Sequence, residues 1–75
     1  MIANLPTVAD TILGKIRIRT DRRVKDLIVE VHENGDGVTL RGRADSFHVK
    51  QLAQHSVREV LPTVPLQNAI VVERN

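Results

Sequence analysis

The fold is decided by one stretch, Leu27-Ile28-Val29-Glu30-Val31-His32, then Asn34-Gly35-Asp36-Gly37, then Val38-Thr39-Leu40-Arg41-Gly42-Arg43. Both outer runs are rich in β-branched residues, and apolar and polar residues alternate along them, as in strands with one buried face. The central cluster supplies residues that tolerate positive φ. The stretch therefore predicts an antiparallel hairpin, with structural roles at turns for Gly35, Gly37 and Gly42.

A helix is predicted on either side of this hairpin. The first spans about residues 8–19, where apolar residues recur at helical spacing and Thr7 with Asp10 forms a weak capping box. A polar connection from Asp21 to Asp26 follows it. The second helix is capped by Asp45 or Ser46 and carries an apolar stripe. Its stripe runs through Val49, Leu52, Ala53, Ser56, Val57, Val60 and Leu61.

The remaining segment completes a three-stranded sheet. Pro62 and Pro65 end the second helix, and Leu66–Glu73 forms the last strand. Neither helix buries its stripe alone, so both are expected on one face of the sheet. The second helix is long enough to lead to a parallel third strand, which makes the sheet mixed. We predict one α+β domain over 1–75, an αββαβ two-layer sandwich with its core at about 8–73.

Composition excludes several classes of protein. The 75 residues include no cysteine and a single aromatic residue, so disulfides, thiolate nucleophiles and cysteine zinc sites are ruled out. The apolar runs are far shorter than the roughly 20 residues of a membrane-spanning helix. No secretory leader is recognisable, so the chain as it stands is expected in the cytoplasm.

The hairpin and the last strand resemble the BON domain family. The resemblance lies in Val29-Glu30-Val31, in Gly37-Val38-Thr39-Leu40-Arg41-Gly42 before a capped helix, and in Asn68-Ala69-Ile70-Val71-Val72, and it covers about residues 8–73. At the exit of the second helix, where the family usually has Gly-Val, this chain has Thr63-Val64. Pro62 and Pro65 flank this pair, so the second helix is expected to end by proline blockade and not at a glycine cap.

The resemblance implies a small non-enzymatic α/β module. BON domains occur mostly in bacterial envelope and periplasmic proteins and are thought to bind phospholipid membranes. For this chain the resemblance implies an anionic membrane surface or an envelope protein as the partner, and a periplasmic or envelope location if the chain is part of a longer protein. It brings no catalytic residues.

The charge pattern gives the candidate binding residues. Six cations and one acid lie within residues 15–25, in a molecule whose net charge is +2. Exposed Lys and Arg near an anionic bilayer each contribute about 1 kcal/mol of attraction. The plain alternative is a solvated helix end, where the C-terminal end of the helix dipole stabilises the cations. We predict an anion- or lipid-binding surface formed by Lys15, Arg17, Arg19, Arg22, Arg23, Lys25, Arg41 and Arg43.

The open face of the sheet suggests a second function. Arg41 and Arg43 point to that face, where Glu30 is placed to form a cross-strand ion pair with one of them. Ile28, Thr39 and Val71 share the face, and we predict that they contact a partner protein or a second copy of the chain if the domain is an assembly module. An exposed edge strand offers another route to assembly.

Other functions have little support in the sequence. His48 and His55 are seven residues apart, which is unsuited to a metal pair on a helix, so no metal and no cofactor are predicted. Nucleic acid is an unfavoured partner because Phe47 is the sole residue on which a base would stack, and it is expected instead to pack as a hydrophobic cap. No catalytic set is recognisable, and the chain is too small to enclose a substrate pocket, so no enzyme activity or small-molecule substrate is predicted.

Overall fold

A computed structural model describes residues 7–32 and 36–73. It contains two helices and three strands in the predicted order: α1 (Val8–Arg19), β1 (Val24–Val31), β2 (Val38–Ala44), α2 (Phe47–Val60) and β3 (Leu66–Val72). The α+β fold class and the α-β-β-α-β order are thereby confirmed. The predicted turn cluster is described only from Asp36 onward, and Gly35 lies outside the described residues.

Both helices begin at the caps that the sequence indicates. The Thr7 hydroxyl accepts a hydrogen bond from the Asp10 N–H at 3.1 Å, and the Asp10 carboxylate accepts one from the Thr7 N–H at 3.3 Å, which completes a capping box. Of the two candidate caps of α2, it is Ser46 that accepts from the Val49 N–H, at 3.2 Å. These bonds satisfy backbone donors that have no partner within the helix.

The sheet is mixed, with β2 in the centre. β1 pairs with β2 in antiparallel orientation, and β2 pairs with β3 in parallel orientation, so the order is β1-β2-β3. The parallel pair is in continuous register from Val38 opposite Leu66 to Ala44 opposite Val72. The connection through α2 makes this parallel pairing possible.

The core lies on one face of the sheet. α1 contributes Ile12 and Ile16, and both side chains are fully buried. They join one cluster with buried residues of α2 and of the inward face of the strands: Val38, Leu40, Ala44, Val49, Ala53, Val57 and Ile70. The opposite face of the sheet has no helix over it among the described elements. Phe47, expected to pack as a cap, is instead 56% exposed at the start of α2.

The predicted start of β1 and the predicted turn role of Gly42 are both wrong, and a β-bulge explains why. β1 begins at Val24, inside the segment predicted as a polar connection, because the pairing continues past an irregularity between Lys25 and Ile28. Two residues of β1 there oppose the single residue Gly42, and one of them, Asp26, has a φ of 54°. Gly42 therefore lies inside β2 at the bulge and not in a turn.

The bulge explains why a glycine occupies position 42. Its φ is 152°, and a Cβ built there would lie 2.9 Å from the Lys25 carbonyl oxygen and 3.0 Å from a Val24 methyl group. Gly37 has a similar role where the chain enters β2, since a Cβ there would lie 3.0 Å from the Pro65 carbonyl oxygen. Both glycines permit close approach of neighbouring backbone segments.

Candidate functional site

The predicted basic residues lie in two groups. Six follow one another along the last turns of α1, the corner that leads to β1, and the start of β1, and the other two lie on β2. All eight side chains are exposed. Their contacts with carboxylates distinguish which of them remain available to an external anion.

Two of the α1 cations contact a carboxylate of α2. The Lys15 ammonium lies 3.9 Å from Glu59, and the Arg19 guanidinium donates a hydrogen bond to the same carboxylate. α1 and α2 pack side by side on the sheet, which brings Arg19 and Glu59 together across 40 positions of sequence. Lys15 and Arg19 are thus balanced in part by one anion.

Arg23 is held by a bidentate ion pair. Its Nε and Nη2 atoms donate to the two carboxylate oxygens of Asp45 at 3.1 and 3.0 Å. Planar paired contacts of this kind fix the orientation of the guanidinium. Arg23 is consequently tied to the loop that precedes α2.

The two β2 arginines also face carboxylates. Arg41 donates to Glu30 at 2.8 Å, so the predicted cross-strand ion pair is present. This hydrogen bond and the positive charge of Arg41, with a smaller effect from His32, hold the pKa of the Glu30 carboxyl below its usual value. Arg43 donates to Asp26 at 3.0 and 2.6 Å and lies 3.6 Å from Glu73.

Three of the eight cations remain without a carboxylate partner within residues 7–32 and 36–73. These are Arg17, Arg22 and Lys25, which we call the unpaired cations. Each is exposed to solvent. Their charge is directed to the surroundings of the molecule, whereas each of the other five has a carboxylate within 4 Å.

The most exposed large apolar side chain in the described part of the chain lies next to one of these unpaired cations. Ile18 is 84% exposed, next to Arg17 in the last turn of α1. It falls outside the stripe of Ile12 and Ile16, and this position off the helical stripe is the sequence signal from which its exposure could be inferred. The sequence prediction did not include Ile18 in any site.

The chain turns sharply beyond Ile18. Asp21 and Arg22 have φ values of 53° and 59°, and the Arg22 N–H donates to the Arg17 carbonyl at 2.9 Å. This arrangement closes α1 in the manner of helix ends that normally use glycine. It costs about 1–2 kcal/mol for each non-glycine residue in the left-handed region.

Two surface depressions adjoin at this corner. The first, the Ile18 depression, has a volume of about 480 Å³ and is lined by Gly14, Arg17, Ile18, Asp21 and Arg22. The second, the Lys25 depression, has a volume of about 430 Å³ and is lined by Arg22, Arg23, Lys25, Arg43, Ala44, Asp45 and Glu73. Arg22 lines both, so the two form one basic surface around the corner.

The residues predicted for partner contact on the open face differ in exposure. Ile28 and Val71 are 52% and 56% exposed, as expected of that face. Thr39 is only 3% exposed, and its hydroxyl lies 2.9 Å from His32 Nε2. Thr39 is therefore enclosed by its neighbours and presents no surface to a partner.

Comparisons with known proteins do not assign this chain to a family. No family model matches it, and neither the curated proteins nor the solved structures yielded a match. The resemblance to the BON family accordingly stays a prediction that rests on its motifs. Among the described residues there is also no helix with the length and apolar character needed to traverse a bilayer.

Proposed function

We propose that this domain is a non-enzymatic module that attaches weakly to anionic membrane surfaces through the corner between α1 and β1. The observation that carries the proposal is the grouping of Arg17 and Arg22 with the exposed side chain of Ile18 in one surface depression, while Lys25 lines the adjoining depression. Cations at an anionic surface next to an apolar side chain are the combination that peripheral membrane proteins use. The resemblance to the BON family points to the same function.

The expected strength of membrane attachment follows from the number of cations and apolar side chains that contact the bilayer. Each unpaired cation contributes about 1 kcal/mol near an anionic leaflet. Full burial of an isoleucine side chain adds about 1.5–3 kcal/mol. These contributions give reversible attachment, and stable anchoring would need several domains or a further membrane signal.

The proposal is tested by co-sedimentation of the protein with vesicles. Binding is expected to vesicles of phosphatidylglycerol mixed with phosphatidylcholine at low ionic strength. It is expected to fall sharply near 1 M salt, where the Debye length is only about 3 Å. Equal recovery with vesicles of phosphatidylcholine alone would contradict the proposal.

Self-association through the open face of the sheet is the second candidate function. It is favoured by the exposure of Ile28 and Val71, which lie on the two outer strands of a face that no described helix covers. This function predicts a dimer mass in light scattering that persists at high salt and is lost in Val71→Lys. A monomer mass under both conditions would contradict it.

A further inference from the structure

We infer that the Lys25 depression is a binding site for a phosphate group, an inference that rests on the proposed attachment to anionic membranes and names the group recognised. Four cations line it, Arg22, Arg23, Lys25 and Arg43, against the carboxylates of Asp45 and Glu73. The depression thus has an excess of positive charge. Its volume of about 430 Å³ is within the range of sites for small ligands.

The carboxylates near the depression do not neutralise the whole site, since its four cations meet three carboxylates. Asp45 is bound by Arg23 through two hydrogen bonds, and Arg43 is bound by Asp26 at 3.0 and 2.6 Å and lies 3.6 Å from Glu73. Arg22 and Lys25 keep their charge available for a ligand. The site therefore contains two cations that are fixed by their neighbours and two that are free to contact an anion.

The fixed guanidinium of Arg23 still has donors to offer. A guanidinium carries five N–H donors, and Arg23 uses Nε and Nη2 in its contact with Asp45. Its orientation is already set before a ligand arrives, which lowers the entropic cost of binding. Arg23 and Lys25 line the same depression, so a phosphate group bound there has donors from both residues in its surroundings.

The backbone of Arg22 gives an independent indication. Its φ of 59° is a strained conformation for a residue that is not glycine, and it follows directly on Asp21 in the same region. Glycine at position 22 would close α1 with less strain, whereas arginine places a cation where the two depressions meet. Residues with strained backbone of this kind cluster at active sites and ligand-binding sites.

The chemistry of the depression favours a phosphomonoester. A monoester carries up to two negative charges and three terminal oxygens, and so matches two available cations and the remaining donors of Arg23. A phosphodiester has a single charge and two such oxygens. Phosphatidic acid and a soluble phosphomonoester present this same group, and the experiment distinguishes these two sources.

The inference is tested with variants that each remove one cation from the corner between α1 and β1. Binding is measured to vesicles of phosphatidic acid and of phosphatidylglycerol, each mixed with phosphatidylcholine to equal surface potential. Arg22→Ala and Lys25→Ala should each weaken binding to phosphatidic acid about tenfold, the loss expected for one charge-assisted hydrogen bond. Arg17→Ala removes the same charge from a residue that lines only the Ile18 depression, and it should weaken binding several-fold less.

A second variant of Arg22 separates loss of affinity from loss of folding. Arg22→Gly suits the left-handed φ at this position, so it should unfold at a temperature no lower than the natural protein while losing affinity as Arg22→Ala does. Glycerol 3-phosphate serves as the soluble probe in an NMR titration. Shifts of the amides of residues 22–25 identify free phosphomonoesters as ligands. Binding to phosphatidic acid vesicles that glycerol 3-phosphate does not compete with identifies the lipid headgroup as the ligand.

Two outcomes separate this inference from the proposed function. Equal losses in Arg17→Ala, Arg22→Ala and Lys25→Ala, or equal affinity for the two anionic lipids, would overturn the phosphate site and leave attachment by general electrostatics. No binding of the natural protein to either anionic vesicle would overturn the proposed function itself.

Discussion

The side chain of Asn68 accepts a hydrogen bond from the backbone N–H of Ile70, at 3.2 Å, on the outer edge of β3. Its amide nitrogen donates to the Lys50 carbonyl of α2 at 3.1 Å. Asn68 thus joins helix to sheet and occupies a backbone donor that a further strand would use. Edge strands of stable proteins are protected by such devices.

The position of the Ile70 N–H follows from the ladder between β2 and β3. The Val38 N–H donates to Pro65, and the Glu73 N–H donates to Ala44, so the odd-numbered residues of β3 direct their backbone groups toward β2. Even-numbered residues direct theirs away from β2, because the pattern alternates along a strand. Ile70 therefore faces the free edge.

Removal of the Asn68 side chain should open this edge. Asn68→Ala is expected to lower the free energy of unfolding by about 1–3 kcal/mol, because it deletes hydrogen bonds and leaves partly buried groups without a partner. Light scattering should also show a greater tendency to associate. Gln67→Ala, on the exposed neighbouring position, is the control and should change neither quantity.

A pair of glycine variants tests the bulge. Gly42→Ala places a Cβ 2.9 Å from the Lys25 carbonyl oxygen at an unfavourable φ, so it should destabilise the fold by about 1–3 kcal/mol. Gly14→Ala meets no atom within 4 Å in the interior of α1 and should stabilise the fold by about 1 kcal/mol. Urea unfolding measures both, and a neutral Gly42→Ala would show that β1 and β2 do not approach this closely at Gly42 in solution.

The pKa of Glu30 should depend on Arg41. The hydrogen bond and the charge of Arg41 lower the pKa of this carboxyl in the folded state, so the ion pair stabilises the fold above the pKa of the unfolded chain. That contribution is lost as the pH falls through the lowered value. In Arg41→Gln, an NMR titration should find the Glu30 pKa raised toward the ordinary glutamate value. An unchanged pKa would mean that the pair does not form in solution.

Ile18 should contribute to membrane attachment without contributing to stability. Ile18→Ser is expected to leave the melting temperature unchanged, because the side chain is 84% exposed, and to reduce binding to anionic vesicles several-fold. Ile28→Ser removes a half-exposed isoleucine from the open sheet face and serves as the matched control for vesicle binding. An equal loss in both variants would indicate general hydrophobic adsorption.

Most of the fold follows from patterns that are local in sequence. The spacing of Ile12 and Ile16 reflects the period of α1, and Thr7 and Ser46 cap backbone N–H groups three residues away. The alternation of apolar and polar residues in the sequence of β2 reflects the period of a strand. The start of β1 was missed because the bulge at Asp26 breaks the alternation and places polar residues in a strand. A bulge depends on pairing with Gly42, which no local period reveals.

The candidate site was predictable in outline only. The density of cations in residues 15–25 is visible in the sequence, but their pairing depends on Glu59 and Asp45, which reach them through the tertiary fold. The exposure of Ile18 likewise depends on how α1 is rotated against the core. Burial of Thr39 follows from its contact with His32 across the hairpin, although the alternation alone places it on the open face.

The most direct test of the account compares two triple variants that remove the same charge. Arg17, Arg22 and Lys25 are changed to Gln in one, and Lys15, Arg19 and Arg41 are changed to Gln in the other. The first variant should lose binding to anionic vesicles at low salt, and the second should keep most of it because its cations already contact carboxylates and line neither site of attachment at the corner between α1 and β1. Equal binding by the two variants would contradict the assignment of attachment to the unpaired cations.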